Sequence, residues 1–244
     1  MNINFEGKRI LVTGAGQGIG KELVLRLSKY KGQIFAISKT KENLDNLVAI
    51  DPKIQSICVD LRDWKATRKA VENILPIDLL VNNAGVAVLS PFLDATSDEF
   101  DLIFDVNVKA ILNVSQIVAK NMIERKTRGS IVNISSQAGQ VALKNHCVYC
   151  ASKGAVDMLT KTMALELGPH NIRVNSVSPT VVLTEMGKLG WSDPQKAQEM
   201  INKIPLGRFA EVDEVIDPVV YFLSDRSSMI TGTCLPVDGG FLAT

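Results

Sequence analysis

No apolar run in this chain approaches the roughly 18 uninterrupted residues that a membrane-spanning helix needs. The opening Met1-Asn-Ile-Asn-Phe-Glu-Gly7 lacks the apolar core of a signal peptide, and the closing Leu242-Ala-Thr244 is no peroxisomal address. A cytoplasmic protein without an integral membrane segment is expected. Charge of one sign is missing too. The 27 basic and 26 acidic residues leave a formal net charge of +1, which offers nucleic acid or anionic membrane no basic stripe. Cysteine is scarce: of Cys58, Cys147, Cys150 and Cys234, only Cys147 and Cys150 form a C-x-x-C pair, with no second pair to complete a metal site. Reduced thiols and no metal are therefore expected. The chain also lacks a Pro, Gly or Ser-rich linker, a charge block, an internal repeat and any low-complexity stretch. Its 244 residues, 46% of them hydrophobic, read as one α/β domain over residues 1–244.

What is present begins with an apolar strand, Arg9-Ile-Leu-Val12, running into Thr13-Gly14-Ala-Gly16-Gln-Gly18-Ile-Gly20 and a helix from about Lys21 to Lys31. Strand, glycine turn and helix make a phosphate cradle, because absent side chains let backbone amides approach a pyrophosphate and the helix N-terminus adds a favourable dipole. The spacing is Gly14-x-x-x-Gly18-x-Gly20 rather than G-x-G-x-x-G. A second strand, Gln33–Ile37, ends at Ser38-Lys39-Thr40, about twenty residues past the glycines, where an NAD-binding protein places an acid on the ribose 2′-hydroxyl. No acid is there. Lys39, with the Ser38 and Thr40 hydroxyls, suits a 2′-phosphate, so NADP(H) is the expected cofactor. Thr40 could alternatively cap the helix opening at Lys41. The third strand, Ile54–Val59, leads to Asp60-Leu61, where Asp60 could meet an adenine amine or cap the helix from Trp64 to Leu75. After the fourth strand, Leu79–Val81, the amides of Asn82-Asn83-Ala84-Gly85 could tie the sheet or line a ribose.

A long helix from Ser97 to about Arg125 carries Asn107 in its middle, which signals either a polar task or an exposed position. Strand Ser130–Ile134, a helix to Leu167 and strand Ile172–Val177 continue the alternation, so a mainly parallel sheet covered on both faces is expected. Its ligand crevice lies beyond the strands' carboxyl ends, where Thr13, Ser38, Asp60, Asn82, Ser136 and Pro179 fall. Tyr149 and Lys153 stand four apart on a helix, and so share one face. A phenol titrates near pKa ~10, and a neighbouring ammonium lowers that value, making a better proton donor. Ser136 could hold a carbonyl oxygen against the phenol; a hydride donor opposite would complete a ketone reductase. Alone, Tyr-x-x-x-Lys is also what a surface pair looks like. From Thr184 through Trp191 to Lys203 the chain is more polar and less patterned, as a substrate lid or a surface helical hairpin would be. Residues 232–241 read as a last strand and a turn.

In this order, Thr13-Gly14-x-x-x-Gly18-x-Gly20, Asn82-Asn83-Ala84-Gly85, Asn107, Ser136, Tyr149-x-x-x-Lys153 and Pro179 resemble the short-chain dehydrogenase/reductase family over essentially the whole chain. The resemblance implies a single-domain Rossmann fold, doubly wound around a mainly parallel seven-stranded sheet, and a homotetramer. It implies Tyr149 as acid/base, Lys153 lowering its pKa and binding the nicotinamide ribose, Ser136 orienting the carbonyl, and Asn107 helping to hold a water that relays protons to Lys153. The cofactor contacts it implies are Gly14, Gln17, Gly18, Ile19, Gly20, Ser38, Lys39, Thr40, Asp60, Leu61, Asn83, Ala84, Gly85, Tyr149, Lys153, Pro179, Val182 and Thr184.

Within the family, Asn145-His-Cys-Val-Tyr149-Cys, Asp157-Met-Leu-Thr-Lys161, Trp191-Ser-Asp-Pro194 and Ile204-Pro-Leu-Gly-Arg-Phe-Ala-Glu211 resemble members that reduce short keto sugars and small α-dicarbonyls. By that resemblance Gln137, His146 and Trp191 line the substrate pocket, under a lid over about residues 184–204. Lys39 and Gln17 depart from that subgroup's arginine and lysine, and Ala138 from its cysteine. Lysine still suits a phosphate, as a point charge rather than a fork. Rival readings are a 3-oxoacyl thioester or steroid reductase on the same scaffold, and a non-catalytic NADP-binding sensor.

Overall fold

The computed structural model describes residues 3–244. Its first strand, β1 (Arg9–Thr13), turns its apolar side chains to both faces: Ile10 and Val12 enter one core, Leu11 the other. There follow α1 (Gly18–Lys29), β2 (Gln33–Ser38), α2 (Lys41–Ile50), β3 (Gln55–Cys58), α3 (Trp64–Glu72) and β4 (Leu79–Asn82). Next, α4 (Ser97–Phe104) continues through a widened π turn, Asp105–Lys109, into α5 (Ala110–Glu124). The chain closes with β5 (Gly129–Ile134), α6 (Cys147–Leu167), β6 (Ile172–Pro179), two short helices α7 (Glu185–Gly190) and α8 (Pro194–Ile201), then α9 (Val212–Leu223) and β7 (Cys234–Val237).

The seven strands lie in the order β3-β2-β1-β4-β5-β6-β7 and every neighbouring pair is parallel. The chain winds outward from β1 to β3, returns to lay β4 on the other side of β1, and winds outward again to β7. That reversal opens a crevice at the carboxyl ends of β1 and β4, where a doubly wound sheet binds its ligand. One face is covered by α1 and α9, through Leu23, Val24, Leu27, Val215, Ile216 and Val219. The other is covered by α3, α5 and α6, through Val71, Val114, Ile117, Val118, Met122 and Met163. These faces hold the crevice rigid, since truncating one such side chain costs about 2–5 kcal/mol.

One element agrees with the sequence reading and a second does not. The continuous helical stretch Ser97–Glu124 has the length and apolar content of a membrane span, yet Ile103, Ile111, Val114, Val118 and Met122 are buried in the domain itself. The second, α9, has no counterpart in that reading because Pro218 interrupts it, and an interior proline removes one helical hydrogen bond. Its six buried residues outweigh that loss.

A buried polar chain crosses the second face. Asn82 Nδ2 donates to Ser115 Oγ at 2.9 Å and to Asn133 Oδ1 at 2.8 Å; Asn133 Nδ2 donates to Thr160 Oγ1 at 2.9 Å, and Thr160 Oγ1 to the Val156 carbonyl at 2.8 Å. It fixes β4 and β5 against α5 and α6, the two helices nearest the crevice.

Candidate active site

The glycine turn is pressed onto the end of β4. Thr13 Oγ1 accepts from the Asn83 and Ala84 amides at 3.1 and 3.2 Å, and Asn83 Nδ2 donates to the Thr13 and Gly14 carbonyls at 3.1 and 3.0 Å. The Asn83 side chain is thus a tie within the sheet end. Gly14 has φ of +65°, and a Cβ there would lie 2.7 Å from the Ala84 Cα; a Cβ on Gly20 would collide with the Gly14 carbonyl. The turn opens onto the start of α1, where Gln17 makes no side-chain cap and no acid stands in the first turn. The first N–H groups of α1 are therefore available to an anion, as a bound pyrophosphate requires.

At the end of β2, Lys39 and Thr40 are exposed and Ser38 is partly so. Thr40 occupies the cap position of α2 without making a cap hydrogen bond, so the alternative capping role is not taken up and its hydroxyl stays free. Asp60 is engaged: Arg62 pairs with it at 2.6 Å and, helped by the Arg62 amide, holds its pKa below the ordinary carboxylate value. The cap of α3 is Asp63, which accepts from the Ala66 amide at 2.9 Å. Arg62, absent from the sequence reading, adds a second cation to this corner. Leu61 packs against the sheet core and Ile19 against the opposite one.

Ser136, Tyr149 and Lys153 meet beyond β5. Ser136 begins a short turn, Gln137–Gly139, with its Oγ accepting from the Ala138 amide at 3.1 Å. That use of the oxygen leaves the O–H free to donate. Lys153 is 4% exposed, and its Nζ donates to the Ile134 carbonyl at 2.9 Å, leaving two N–H groups over. Burial lowers its pKa to about 8 from 10.5, although Asp157 opposes the shift. Its Nζ lies 5.7 Å from the centre of the Tyr149 ring.

Here the expected direction is corrected. The sequence reading has the ammonium lowering the pKa of the phenol; in the structure enclosure of its hydroxyl end raises it, with Ser136 pulling the other way and Cys150 adding to the rise. The Lys153 ammonium is turned to the Ile134 carbonyl, so the cost of desolvating a phenolate dominates.

Asn107 is fully buried in the π turn. Its Oδ1 accepts from the Val86 amide at 2.8 Å, and its Nδ2 donates to the Val86 carbonyl and to Ser152 Oγ, both at 3.0 Å. A Cβ on Gly85 would be 3.5 Å from Asn107 Oδ1 and 3.6 Å from Lys153 Nζ, so all three share one corner.

Of the residues assigned to substrate, Gln137 is 2% exposed with an Oε1 that has no partner, and His146 stands just before α6 with its ring 6.1 Å from that of Tyr149. Trp191 directly follows α7. It packs on Phe209 at 5.4 Å, with Lys196 Nζ 5.0 Å above its ring, in a small separate cluster with Met200 and Ile204. Pro179 ends β6; Val182 pairs with Ala210, and the Thr184 hydroxyl caps α7 through the Gly187 amide at 3.0 Å while its methyl faces Gly18. A cavity bounded by Thr180, Leu206, Phe209 and Val237 lies at the base of the α7–α8 segment, and none of Ser136, Tyr149 and Lys153 lines it.

Comparison with known proteins gives concordant matches. The short chain dehydrogenase family profile matches residues 8–195. The L-xylulose reductase of Mus musculus is 59% identical over 244 residues, covering 100% of both chains. The NADPH carbonyl reductase 2 of Sus scrofa is 49% identical over 244 residues, again with 100% of both covered. Among solved structures, a gluconate 5-dehydrogenase from Burkholderia cenocepacia J2315, in complex with NADP and tartrate, superposes with a TM-score of 0.93 at 30% identity, over 99% of this chain and 97% of that one.

Proposed function

The chain belongs to the short-chain dehydrogenase family and is an oxidoreductase acting on CH–OH groups, and from that premise we propose that it reduces L-xylulose to xylitol, and small α-dicarbonyls such as diacetyl, at the expense of NADPH. The observation that carries the reading is the convergence of the Ser136 hydroxyl, set against the Tyr149 phenol, with a buried Lys153 ammonium that has unused donors at the end of β5. Full-length identity to L-xylulose reductases supports the substrate.

The residues present fit NADP(H). The uncapped start of α1 suits the pyrophosphate, and Ser38, Lys39 and Thr40, with Arg62 nearby, suit a 2′-phosphate. The two remaining Lys153 donors suit ribose hydroxyls. Gly14, Gln17, Gly18, Ile19, Gly20, Leu61, Asn83, Ala84, Gly85, Pro179, Val182 and Thr184 complete the proposed contact set by their place along the crevice rim. Asp60, held by Arg62, meets the adenine through whatever lone pairs that pair leaves. When bound, the reduced nicotinamide supplies a hydride to the carbonyl carbon.

Ser136 donates to the ketone oxygen, and Tyr149 passes its proton to the same atom, so that negative charge there is neutralised as it develops. The raised pKa of the phenol suits this direction, because the form required is the neutral one. Lys153 contributes a cation that favours the transient phenolate. With its side chain committed to Val86 and Ser152, Asn107 takes part in a water relay to Lys153 through its main chain in the π turn. Gln137, with its free acceptor, and His146 orient the substrate hydroxyls. Trp191, packed on Phe209, lines the substrate pocket from the α7–α8 segment, which we assign as the lid over about residues 184–204. We further assign the whole chain to one domain acting in the cytoplasm. From the family resemblance we assign a homotetramer, to whose interfaces the exposed apolar residues Phe100 and Leu112 on α4 and α5, and Met158 and Leu165 on α6, would be available.

The test is loss of reduced-nicotinamide absorbance with L-xylulose, diacetyl and a 3-oxoacyl thioester, each with NADPH and with NADH. Faster NADPH consumption with the first two is expected. Turnover of the thioester alone would overturn the substrate assignment, and binding of NADPH without turnover of any carbonyl would overturn the enzyme reading.

A further inference from the structure

Asp157 is a carboxylate on the inner face of α6, one turn beyond Lys153 and two beyond Tyr149, and it is 7% exposed. A buried acid is costly unless it is well partnered, and this one is not. Ser176 Oγ on β6 donates to Oδ1 at a long 3.4 Å, while Oδ2 has no partner at hydrogen-bonding distance; the side chains of Ser135 and Gln140 also favour the carboxylate. Burial raises its pKa above the ordinary carboxylate value, against the combined pull of Ser135, Ser176, Lys153 and Gln140.

What Oδ2 faces is the turn that carries Ser136. A Cβ on Gly139 would lie 2.9 Å from Oδ2 and 2.8 Å from the Lys153 carbonyl, so the backbone of that turn is pressed onto α6 at the level of this carboxylate. Across the same seam Ser135 Oγ donates to the Lys153 carbonyl at 3.3 Å. One buried acid therefore touches the element presenting Ser136 and shares a helix face with Lys153 and Tyr149. Its charged and titratable surroundings are few. On α6 they are Lys153 and Tyr149, with Cys150 beside the latter; β7 brings Cys234, whose thiol donates to the Asp157 carbonyl at 3.7 Å and which also feels Lys161. The groups from β5, β6 and the Ser136 turn that face it, Ser135, Ser176 and Gln140, are neutral, as is Asn107 beside Lys153.

We propose that Asp157 is a positioning residue for this site: it braces the Ser136 turn against α6 and keeps Lys153 in its ammonium form near neutral pH. The proposal rests on the placement of Lys153 in the working site, but its test does not need turnover. Asp157 opposes the burial that lowers the proton affinity of Lys153. Without that carboxylate the ammonium would be desolvated with only the Ile134 carbonyl to hold it.

The experiment is an NMR titration of the lysine 13Cε resonances in the cofactor-free protein, comparing the unmutated chain with Asp157→Asn. The amide keeps the size and an acceptor for Ser176 while removing the charge. The proton affinity of Lys153 should fall roughly tenfold, the lower end of what an opposite charge one turn away provides. An unchanged titration would overturn the proposal. Should the variant fail to fold, the unmutated protein answers alone: the Lys153 resonance must show a second, acidic step as Asp157 takes up its proton, and its absence is equally fatal. In the working enzyme the alkaline limb of the kcat profile should move to lower pH in Asp157→Asn, whereas a purely structural role would lower kcat without moving the limb. The NMR result stands whether or not L-xylulose proves to be the substrate.

Discussion

Lys153→Met should remove turnover and, in the cofactor-free protein, abolish a specific part of the pH dependence of stability. The folded pKa of Lys153 is about 8 against 10.5 for an unperturbed lysine. Between those values the unfolded chain binds a proton that the folded one does not, so stability rises with pH across this window. Integrating that linkage, the penalty of burying the ammonium falls from about 3 kcal/mol at about pH 7 to about 1 kcal/mol at about pH 9.5, a gain of about 2 kcal/mol. The absolute stability of Lys153→Met is a poorer readout, because relief of the penalty is offset by about 1–3 kcal/mol for an unpartnered Ile134 carbonyl. The difference between the two proteins across pH is clean. Above about pH 10 Tyr149 works in the opposite sense, since its raised pKa lets the unfolded chain lose that proton first. Urea unfolding at the two pH values, for both proteins, is the assay. If the gap between unmutated protein and Lys153→Met stays constant, the ammonium is not buried at a cost and the reasoning fails.

Three further outcomes are expected. Lys39→Ala should raise KM for NADPH roughly tenfold or more, the worth of a charge-assisted contact, and leave NADH unaffected; an equal change for both cofactors would remove Lys39 from the phosphate site. Asn133→Ala should destabilise by about 1–3 kcal/mol in urea unfolding, because it leaves one Asn82 N–H without its acceptor and Thr160 Oγ1 without its donor in the core, and a loss under about 0.5 kcal/mol would contradict a continuous network. Gly20→Ala should abolish NADPH binding, measured by quenching of protein fluorescence, since the added methyl collides with the Gly14 carbonyl and must open the phosphate turn.

Much of the site was legible because the relevant signals are local. The strand–glycine–helix order, the missing acid after β2 and the four-residue step from Tyr149 to Lys153 are all short-range patterns, and the parallel doubly wound sheet follows from their alternation. What was not legible depends on three-dimensional neighbours. The direction of the Tyr149 shift turns on whether Lys153 reaches the phenol or the Ile134 carbonyl, which spacing does not determine. Arg62 stands two residues from Asp60, yet nothing in sequence shows that it folds back to pair with it. That Trp191 packs on Phe209 with Lys196 above its ring is likewise set by neighbours its own stretch does not reveal. Asn107 resists reading because a π turn has no periodic signature, and Asp157 because its step of four beyond Lys153 resembles any solvated helix face. By contrast α9 did carry a signal, Val212, Val215, Ile216, Val219, Val220 and Leu223 at helical spacing, masked by Pro218.

Tyr149→Phe tests the central claim most directly, with NADPH binding and L-xylulose reduction measured on the same preparation. The substitution removes one hydroxyl and leaves the Lys153 contact to Ile134 in place. Turnover should fall by at least about 100-fold, the usual contribution of a positioned proton donor, while NADPH binds as before. Turnover retained within a few-fold would mean that the proton comes from elsewhere and that the site built around Ser136, Tyr149 and Lys153 does not work as proposed.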